Sequence, residues 1–490
     1  MPIHNLIDKY RGISPTVKCA IWFTVCNIII RGISFISAPL FTRILSEEEY
    51  GRLSVLNSYE AVLLILAAWD IAPGAFQRGI IKYKDSLRLF WTTSQTLTTL
   101  ITFLFAVVIY IGIYFCGSLE GISNIIWISW FLYFLTQPAN QCWIIYNRSE
   151  LRYKAPVLFS IIYSLLYFVI PYVCVIYFGK TAEIKVVASM VMSVILYFPF
   201  YVRNANIKLI IENISSAVEQ VKFILKFQIP CIANSLSLVV LSSADRIMIG
   251  NLSGNEHAAY YTVAYTIAFV ISVLQVSINQ VLTPWRYKKL DEKDYTAITK
   301  STNGLLLCIG ILIILFVLVV PDGIRIFFPE KYYEAIWCVP PVSASIFFML
   351  LYSIFVNIET YFNDTKYIMY IAVICSAVNV ILNYYAIKIF GYISCAYTTL
   401  ISYILFTILH FVFMSRICNK NSLNTKLFDE KIIVGISLFI ILFTVFITLA
   451  YDSVFYRYII FAIILSGSFI MRRRIKTFIL TYFVSTHKSK

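Results

Sequence analysis

The chain has 490 residues, of which 60% are hydrophobic and only 13% charged, and its formal net charge is +15 at pH 7. Ordinary soluble domains are about 45–50% apolar and about 25% charged, so this composition excludes a soluble globular protein. Apolar runs of about twenty residues recur along the whole chain and predict an all-α polytopic membrane protein.

The positive charge does not indicate nucleic-acid binding, because Lys and Arg lie in short connectors, as expected of cytoplasmic loops. The 11 cysteines fall mainly within apolar segments without a CxxC pair, which favours small buried side chains over disulfides or a metal site. The short polar N-terminus is typical of a cytoplasmic lead-in rather than a cleavable signal peptide. GxxxxGK[ST], GxSxG and HExxH patterns are absent, so the sequence predicts a non-enzyme without cofactor or metal.

In chain order, windows of about twenty apolar residues predict fourteen transmembrane helices. They lie near residues 19–41, 53–76, 90–115, 122–145, 157–178, 184–202, 227–249, 259–282, 304–321, 335–357, 367–387, 391–414, 432–450 and 453–471.

The predicted organisation is two six-helix bundles followed by a C-terminal helix pair. The N-terminal bundle covers 1–202, and a cytoplasmic linker at 203–226 has the mixed apolar and charged pattern of an interfacial helix. The C-terminal bundle covers 227–414, and residues 415–490 hold helices 13 and 14 with a basic cytoplasmic tail.

Basic residues predict the orientation. With both termini in the cytoplasm, the inner segments hold 30 of the 40 Lys and Arg residues and the outer segments hold 8, while Arg31 and Arg246 lie inside helices. This asymmetry follows the positive-inside rule and supports the number of spans.

A charged turn joins the first two predicted helices at Leu45–Gly51 and returns in weaker form at Leu252–Ala258. Leu, Ser and Glu recur at an offset of 207 residues, which suggests two related halves in parallel repeats. Chance similarity between apolar helices is the alternative.

Arg31 lies near the middle of the first predicted span, where a charge costs roughly 2.5–3.5 kcal/mol on insertion scales. Thr24, Asn27, Arg31 and Ser34 are spaced by three and four residues and share one helical stripe. Arg31 is either a structural residue bonded to a neighbouring helix or part of a hydrated cavity that meets an anionic substrate.

Two acids lie in the second predicted span. Glu60, Gly74 and Arg78 fall on one helical face, Asp70 lies on its flank, and Pro73 is expected to bend the helix. The acids form a proton or cation site or serve as partners for Arg31, and Glu60 could also be solvated near the outer surface.

Later helices carry further polar groups. Asp245 and Arg246 lie in the seventh span, either inside the membrane or at the outer headgroup level, and the eighth span places Gln275 and Asn279 on one stripe. Glu359 lies near the inner end of the tenth span. Other intramembrane polar residues are Ser235, Ser242, Ser272, Asn379 and Asn383, and Arg286 continues the stripe of the eighth span into the inner segment.

The first hairpin also carries a recognisable motif. Residues 38–51, Ala-Pro-Leu-Phe-Thr-Arg-Ile-Leu-Ser-Glu-Glu-Glu-Tyr-Gly, and residues 74–79, Gly-Ala-Phe-Gln-Arg-Gly, resemble the corresponding hairpin of Wzx-type polysaccharide and O-antigen flippases. These belong to the MATE-like (MOP) exporter superfamily. The resemblance covers nearly the whole chain in topology but only residues 38–79 as a motif.

The resemblance implies a transporter of the bacterial cytoplasmic (inner) membrane. It would move undecaprenyl-diphosphate-linked oligosaccharide repeat units, such as those of lipopolysaccharide, to the outer face by alternating access. The expected partners are the lipid-linked oligosaccharide, membrane lipid, H+ or Na+, and a glycan polymerase. The cavity arginines fit this reading, since guanidinium groups pair well with diphosphate and acidic sugars.

These inferences define two sets of candidate residues. The candidate substrate pathway comprises Arg31, Asn27, Arg78, Arg246, Gln275 and Asn279. The candidate ion-coupling residues are Glu60, Asp70, Asp245 and Glu359.

Three other functions stay open. An ion-coupled small-molecule or drug exporter and a peptidoglycan-precursor flippase share the implied fold. A membrane glycan polymerase or ligase needs extracytoplasmic catalytic loops, whereas no predicted outer loop exceeds about fifteen residues.

Overall fold

A computed structural model describes residues 14–117, 122–362, 366–421, 427–451 and 453–470. Within these ranges the chain forms fourteen helices of 17 residues or more and no β-strand, which confirms the predicted all-α polytopic fold. The helices are α1 (Pro15–Ile44), α2 (Glu47–Ala68), α3 (Leu87–Cys116), α4 (Asn124–Ser149), α5 (Lys154–Phe178), α6 (Ala182–Asn204), α7 (Ile214–Ser253), α8 (Asn255–Asp291), α9 (Tyr295–Phe327), α10 (Val339–Tyr361), α11 (Lys366–Phe390), α12 (Ser394–Lys420), α13 (Glu430–Ala450) and α14 (Val454–Ile470).

In the described part of the chain, twelve helical segments are long and apolar enough to cross a membrane. Helix α4 is not among them, since residues such as Gln137, Asn140 and Gln141 dilute its apolar sequence. Helix α14 supplies a shorter apolar segment, Val454–Gly467. Each of the fourteen predicted spans therefore corresponds to a helix, and twelve of them meet this criterion.

The turn between α1 and α2 forms as the sequence predicts. Ser46 caps α2, where its hydroxyl accepts a hydrogen bond from the backbone N–H of Glu49 at 3.2 Å. The three acids Glu47, Glu48 and Glu49 occupy the first turn, where negative charge favours the helix N-terminus. Glu49 also accepts a 2.5 Å hydrogen bond from the backbone N–H of Ala182, and thereby ties this turn to the start of α6.

The chain divides into two compact units, Met1–Ser243 and Ala244–Lys490, with the division inside α7. In the first unit α1 packs against α5, and α6 packs against α4 and α5. In the second unit α10 packs against α8 and α12, and α9 contacts α13 and α14. The predicted bundle limits remain a prediction; the region of the linker contains a short helix at Ile207–Glu212 and the first turns of α7.

Burial separates the core of the second unit from its outer helices. Helix α10 is largely buried, whereas α13 exposes large hydrophobic side chains such as Leu438, Leu442 and Phe446. Exposed apolar surface on long helices is the pattern of lipid contact.

A buried ion pair ties α14 to α9. Arg457 is 1% exposed and donates to the carboxylate of Asp322 at 2.9 Å and to the carbonyl of Leu318 at 2.9 Å. The sequence places Arg457 at an outer helix end, but the structure buries it.

Cysteine side chains behave as the sequence predicts in the described part of the chain. Ten are free thiols, of which seven are buried and three half-buried. The predicted N-terminal lead-in before residue 14 and the basic tail after residue 470 lie outside the described residues.

Candidate functional site

The polar stripe of α1 lies on a partly open face of the helix. Arg31 is half-buried and Asn27 is exposed. The buried side of α1 carries other residues, including Cys26 and Phe41. Arg31 is therefore partly accessible on the face that carries Asn27.

The second predicted span is interrupted, which corrects the expectation of one continuous face. Helix α2 ends at Ala68, and Trp69 and Asp70 adopt left-handed backbone conformations with φ of 58° and 47°. A single π-helical turn follows at Ala72–Phe76, with non-helical φ and ψ at Gly74. Glu60 and Arg78 therefore do not share a helical face.

A side chain from α7 holds this break. The amide of Gln228 donates to the carbonyls of Trp69 (2.6 Å) and Asp70 (3.1 Å) and accepts from the backbone N–H of Ala75 (2.9 Å). A Cβ at Gly74 would collide with the Gln228 amide oxygen, so a larger residue there would displace this amide from its hydrogen bonds. Gln228 thus satisfies backbone groups that the broken helix leaves without partners.

The charged residues next to the break are exposed. The carboxylate of Asp70 accepts a hydrogen bond from Ser235 at 3.3 Å. The guanidinium of Arg78 lies 4.3 Å from the centroid of the Phe227 ring, in a cation–π contact. Both candidates therefore lie at one location in the first unit, the junction between the broken helix and α7.

Glu60 lies near a buried lysine that the sequence assigned to an outer segment. Lys185 on α6 is 7% exposed, and its ammonium group lies 5.1 Å from the ring centroid of Tyr167 and 5.8 Å from that of Phe41. Glu60 is half-buried and interacts electrostatically with Lys185. The Glu60 carboxylate is therefore partly shielded and lies within electrostatic reach of a buried cation.

Tyrosines surround this charged pair. Tyr163 stacks on Tyr197 with ring centroids 5.1 Å apart, and it lies 5.6 Å from Tyr167 and shares a 2.9 Å hydrogen bond with Ser193. Tyr133 lies 6.3 Å from Tyr197. We call Tyr133, Tyr163, Tyr167 and Tyr197 the tyrosine cluster. The sequence does not predict the tyrosine cluster, because 17% of the chain is aromatic and these four tyrosines cannot be told from the others.

Asp245 is the centre of a buried polar network in the second unit. It is completely buried and accepts hydrogen bonds from Tyr261 (2.5 Å), Thr399 (2.8 Å) and Asn383 (2.6 Å). Asn383 also donates to Asn379 at 3.2 Å. Asp245 is therefore enclosed by protein rather than by solvent.

The hydroxyl of Thr398 extends the same network by donating to the side-chain oxygen of Asn383. Four helices, α7, α8, α11 and α12, thus contribute to the Asp245 network. The sequence singles out Asp245, Asn379 and Asn383, and the structure brings them together. No sequence pattern singles out Tyr261, Thr398 or Thr399.

Glu359 forms a second buried pair. It lies on α10, is completely buried, and contacts the imidazole of His410 on α12 at 2.9 Å between Oε1 and Nδ1. The His410 ring lies 4.7 Å from Phe406 and 5.9 Å from Tyr352. Glu359 Oε2 and His410 Nε2 have no hydrogen-bond partner among the described residues.

The remaining candidates of the second unit lie on α7 and α8. Arg246 is half-buried, with its guanidinium 4.5 Å from the ring centroid of Tyr265. Gln275 is 5% exposed, and its amide oxygen lacks a partner within the described ranges. Asn279 is half-buried and accepts a 3.2 Å hydrogen bond from Arg286.

Acids in the connector between α8 and α9 are paired with lysine. Lys289 contacts Glu292 at 2.7 Å and Asp294 at 3.1 Å. These hydrogen bonds lower the pKa of both carboxyls below their ordinary values. In the described part of the chain, no cluster of three or more His, Cys, Asp or Glu side chains could hold a metal ion.

Comparison with known structures identifies the fold of this protein. The fold matches the lipid II flippase MurJ in an inward closed conformation, with 16% identity over 93% of this chain and 100% of that chain and a TM-score of 0.61. It also matches an inward-facing multidrug resistance MATE family transporter, with 13% identity over 81% and 96% of the two chains and a TM-score of 0.57. The chain is a multi-pass membrane protein with the fold of the MOP superfamily, as predicted from the resemblance.

The family follows from the sequence itself. A family model described as polysaccharide biosynthesis protein matches residues 16–290, and a second, described as MatE, matches residues 230–385. Since the first match spans more than half of the chain, this protein belongs to the polysaccharide biosynthesis protein family. No curated protein sequence matches it significantly.

Proposed function

We propose that this protein moves undecaprenyl-diphosphate-linked oligosaccharide repeat units from the inner to the outer face of the cytoplasmic membrane by alternating access. Membership of the polysaccharide biosynthesis protein family is the observation that carries the proposal. The fold supports it, because MurJ, which shares this fold, is a lipid II flippase.

Arg31 fits the charged part of such a substrate. A guanidinium near the middle of a membrane helix is costly unless it meets water, protein or an anion. Diphosphate offers paired oxygens that match the planar donors of arginine. Arg31 is half-buried on the open side of α1, and Asn27 lies one helical turn before it.

The tyrosine cluster fits the sugar part. Sugar rings present both hydroxyl groups and apolar faces, and tyrosine offers a flat ring with a polar end. Three of the four tyrosines are half-buried, and Glu60 and Lys185 add charged hydrogen-bonding groups beside them. We propose this region of the first unit as a sugar-binding surface.

Coupling to H+ or Na+ is proposed at Asp245, with Glu359 as the alternative. Asp245, Asn379 and Thr399 carry side-chain oxygens, and oxygen ligands are the kind that alkali and alkaline-earth cations prefer. Glu359 instead faces an imidazole, which suits proton exchange. Transport that depends on Na+ and is lost in Asp245→Asn supports the first site; transport that depends only on a proton gradient and is lost in His410→Gln supports the second.

Several consequences belong to the same proposal. Both termini would lie in the cytoplasm, since 30 of 40 basic residues then lie in inner segments. The protein would work with a glycan polymerase on the outer face and would itself transport without catalysis.

Deletion of the gene tests the proposal. Lipid-linked repeat units should accumulate on the cytoplasmic face while surface polysaccharide is lost. A deletion strain that still assembles its surface glycan but loses resistance to dyes and drugs would instead identify an exporter, as the MatE match allows.

Single variants then test the residues. At normal membrane abundance, Arg31→Ala should reduce surface polysaccharide at least tenfold and Arg31→Lys should retain part of it. Arg43→Ala is the matched control, since Arg43 is an exposed arginine in the last turn of the same helix. Full surface polysaccharide in Arg31→Ala would refute the substrate role of Arg31.

A further inference from the structure

Arg286 on α8 is a completely buried arginine with incomplete hydrogen bonding. Its Nη1 donates to the side-chain oxygen of Asn279 at 3.2 Å, whereas Nε and Nη2 have no partner within the described residues. Buried polar groups are nearly always paired, so two unpaired donors on one guanidinium need an explanation.

The unpaired atoms lie on one side of the guanidinium. Nε–H and Nη2–H point in parallel and form the edge with which arginine binds a carboxylate or phosphate in bidentate fashion. Nη1, on the other side, is already engaged by Asn279. The edge suited to an oxyanion is therefore the one that the protein leaves without a partner.

Side chains from two helices hold this arrangement. Asn357 on α10 donates to the side-chain oxygens of Asn279 and Thr283, both at 3.0 Å. Asn279 thus accepts hydrogen bonds from Asn357 and Arg286 together. A polar network between α8 and α10 therefore fixes the position of the Arg286 guanidinium.

In the described part of the chain no ion pair includes Arg286, and the acids close in sequence to Arg286 or Asn357 are engaged elsewhere. Asp291 accepts a hydrogen bond from Tyr361 at 2.6 Å, and Glu292 and Asp294 pair with Lys289. Glu359 pairs with His410. A buried charge without a counter-ion is strongly unfavourable, so an anion from outside the chain would complete the site.

Depth in the membrane favours phosphate. The eighth span predicted from the sequence ends near residue 282, and a rise of 1.5 Å per residue places Arg286 roughly 6 Å beyond that limit. Residues just beyond a span lie at the headgroup level with the lipid phosphates, and basic pockets between helices on the cytoplasmic side bind such groups.

We propose that Arg286, positioned by Asn279 and Asn357, is a binding site for a phosphate-class oxyanion in the second unit. The site is closed in this structure, so entry of the anion requires the side chains around Arg286 to move apart. Two sources offer this chemistry, the headgroup of an anionic phospholipid and the diphosphate of a polyprenyl-linked substrate. Only the second source rests on the proposed function.

Binding to the purified full-length protein in neutral detergent tests this site. The probes are farnesyl diphosphate, short-chain phosphatidylglycerol and inorganic diphosphate, measured by calorimetry. Arg286→Gln should weaken binding of the responding probe at least tenfold, and Arg286→Lys should fall between it and the wild type, because lysine keeps the charge but not the bidentate edge. Arg416→Gln, an exposed arginine at the end of α12, is the matched control and should bind as the wild type does.

The probes separate the sources. Binding of farnesyl diphosphate that depends on Arg286 assigns the site to a lipid-linked diphosphate, and binding of phosphatidylglycerol alone assigns it to membrane lipid and leaves the transport proposal untouched. Should Arg286→Gln fail to fold, Asn357→Ala replaces it and should weaken binding by removing the support of Asn279. Unchanged affinity in both variants, or no affinity of the wild type for any probe, would overturn the inference.

Discussion

The two units treat their intramembrane acids differently. In the second unit Asp245 and Glu359 are completely buried, and each has direct partners at 2.5–2.9 Å. In the first unit Glu60 is half-buried and Asp70 exposed, with a single 3.3 Å hydrogen bond from Ser235 at Asp70.

The two acids of the second unit therefore have buried partners, whereas the two acids of the first unit are more accessible. Removal of a buried carboxylate with several donors, such as Asp245, leaves those donors unpaired and destabilises its unit. A half-buried or exposed acid, such as Glu60 or Asp70, contributes less to stability. The variants below test this comparison, from the largest expected effect to the smallest.

Asp245→Ala should have the largest effect. It leaves the donors of Tyr261, Thr399 and Asn383 without their acceptor, which should lower the free energy of unfolding by about 3 kcal/mol or more. Thermal unfolding in detergent measures the change. Glu60→Gln is the counterpart in the first unit and should change stability by less than about 1 kcal/mol; equal losses in the two variants would remove the distinction between the units.

Asp322→Ala should come next. It leaves Arg457, which is 1% exposed, without its carboxylate, and since Asp322 is itself partly exposed the loss should be about 2–3 kcal/mol. Glu150→Ala breaks an exposed 4.0 Å pair with Arg152 and should cost less than about 1 kcal/mol. The same unfolding measurement compares them, and a larger loss in Glu150→Ala would contradict the role of burial.

Gln228→Ala tests the interrupted helix of the first unit. Loss of three hydrogen bonds to the backbone should cost about 1–3 kcal/mol. Gly74→Ala should also destabilise, because its Cβ meets the Gln228 amide. The double variant should lose less than the sum, by about 1 kcal/mol, since the collision disappears with the side chain; strict additivity would show that Gln228 does not hold the break.

Tyr163→Phe should have the smallest effect on stability, about 1 kcal/mol or less, because it removes the hydroxyl that bonds Ser193 but keeps the ring that stacks on Tyr197. This variant is useful because surface polysaccharide is measured beside the unfolding temperature. If the tyrosine cluster contacts sugars, surface polysaccharide should fall while the unfolding temperature stays nearly unchanged. Normal polysaccharide in both Tyr163→Phe and Tyr167→Phe would argue against a sugar-binding surface there.

Local sequence patterns predicted the helices well, because each span needs about twenty apolar residues whatever its partners are. The first span was expected at 19–41 and extends over Pro15–Ile44, since Ser14 caps its start. The second was expected to continue to residue 76, but α2 ends at Ala68. The residue that holds this break, Gln228, lies 159 residues from Trp69, so no local pattern could reveal it.

The candidate site shows the same limit. Asp245 is singled out as an acid within an apolar run, but its partners Asn383 and Thr399 lie 138 and 154 residues away. His410 is one of four histidines that lie far apart in the sequence, and its partner is a glutamate on another helix. Composition and periodicity identify polar groups inside membranes; which of them meet is decided by tertiary packing.

The shielded thiols make this chain suited to chemical mapping. Seven of the ten described cysteines are buried and three half-buried, and none is bridged. Bulky membrane-impermeant thiol reagents should therefore label these ten cysteines weakly. With the eleventh cysteine removed by Cys116→Ser, a cysteine introduced at an exposed turn would stand out against that background. Labelling of Lys180→Cys from outside intact cells, and of Lys293→Cys only after permeabilisation, would then read the predicted orientation directly.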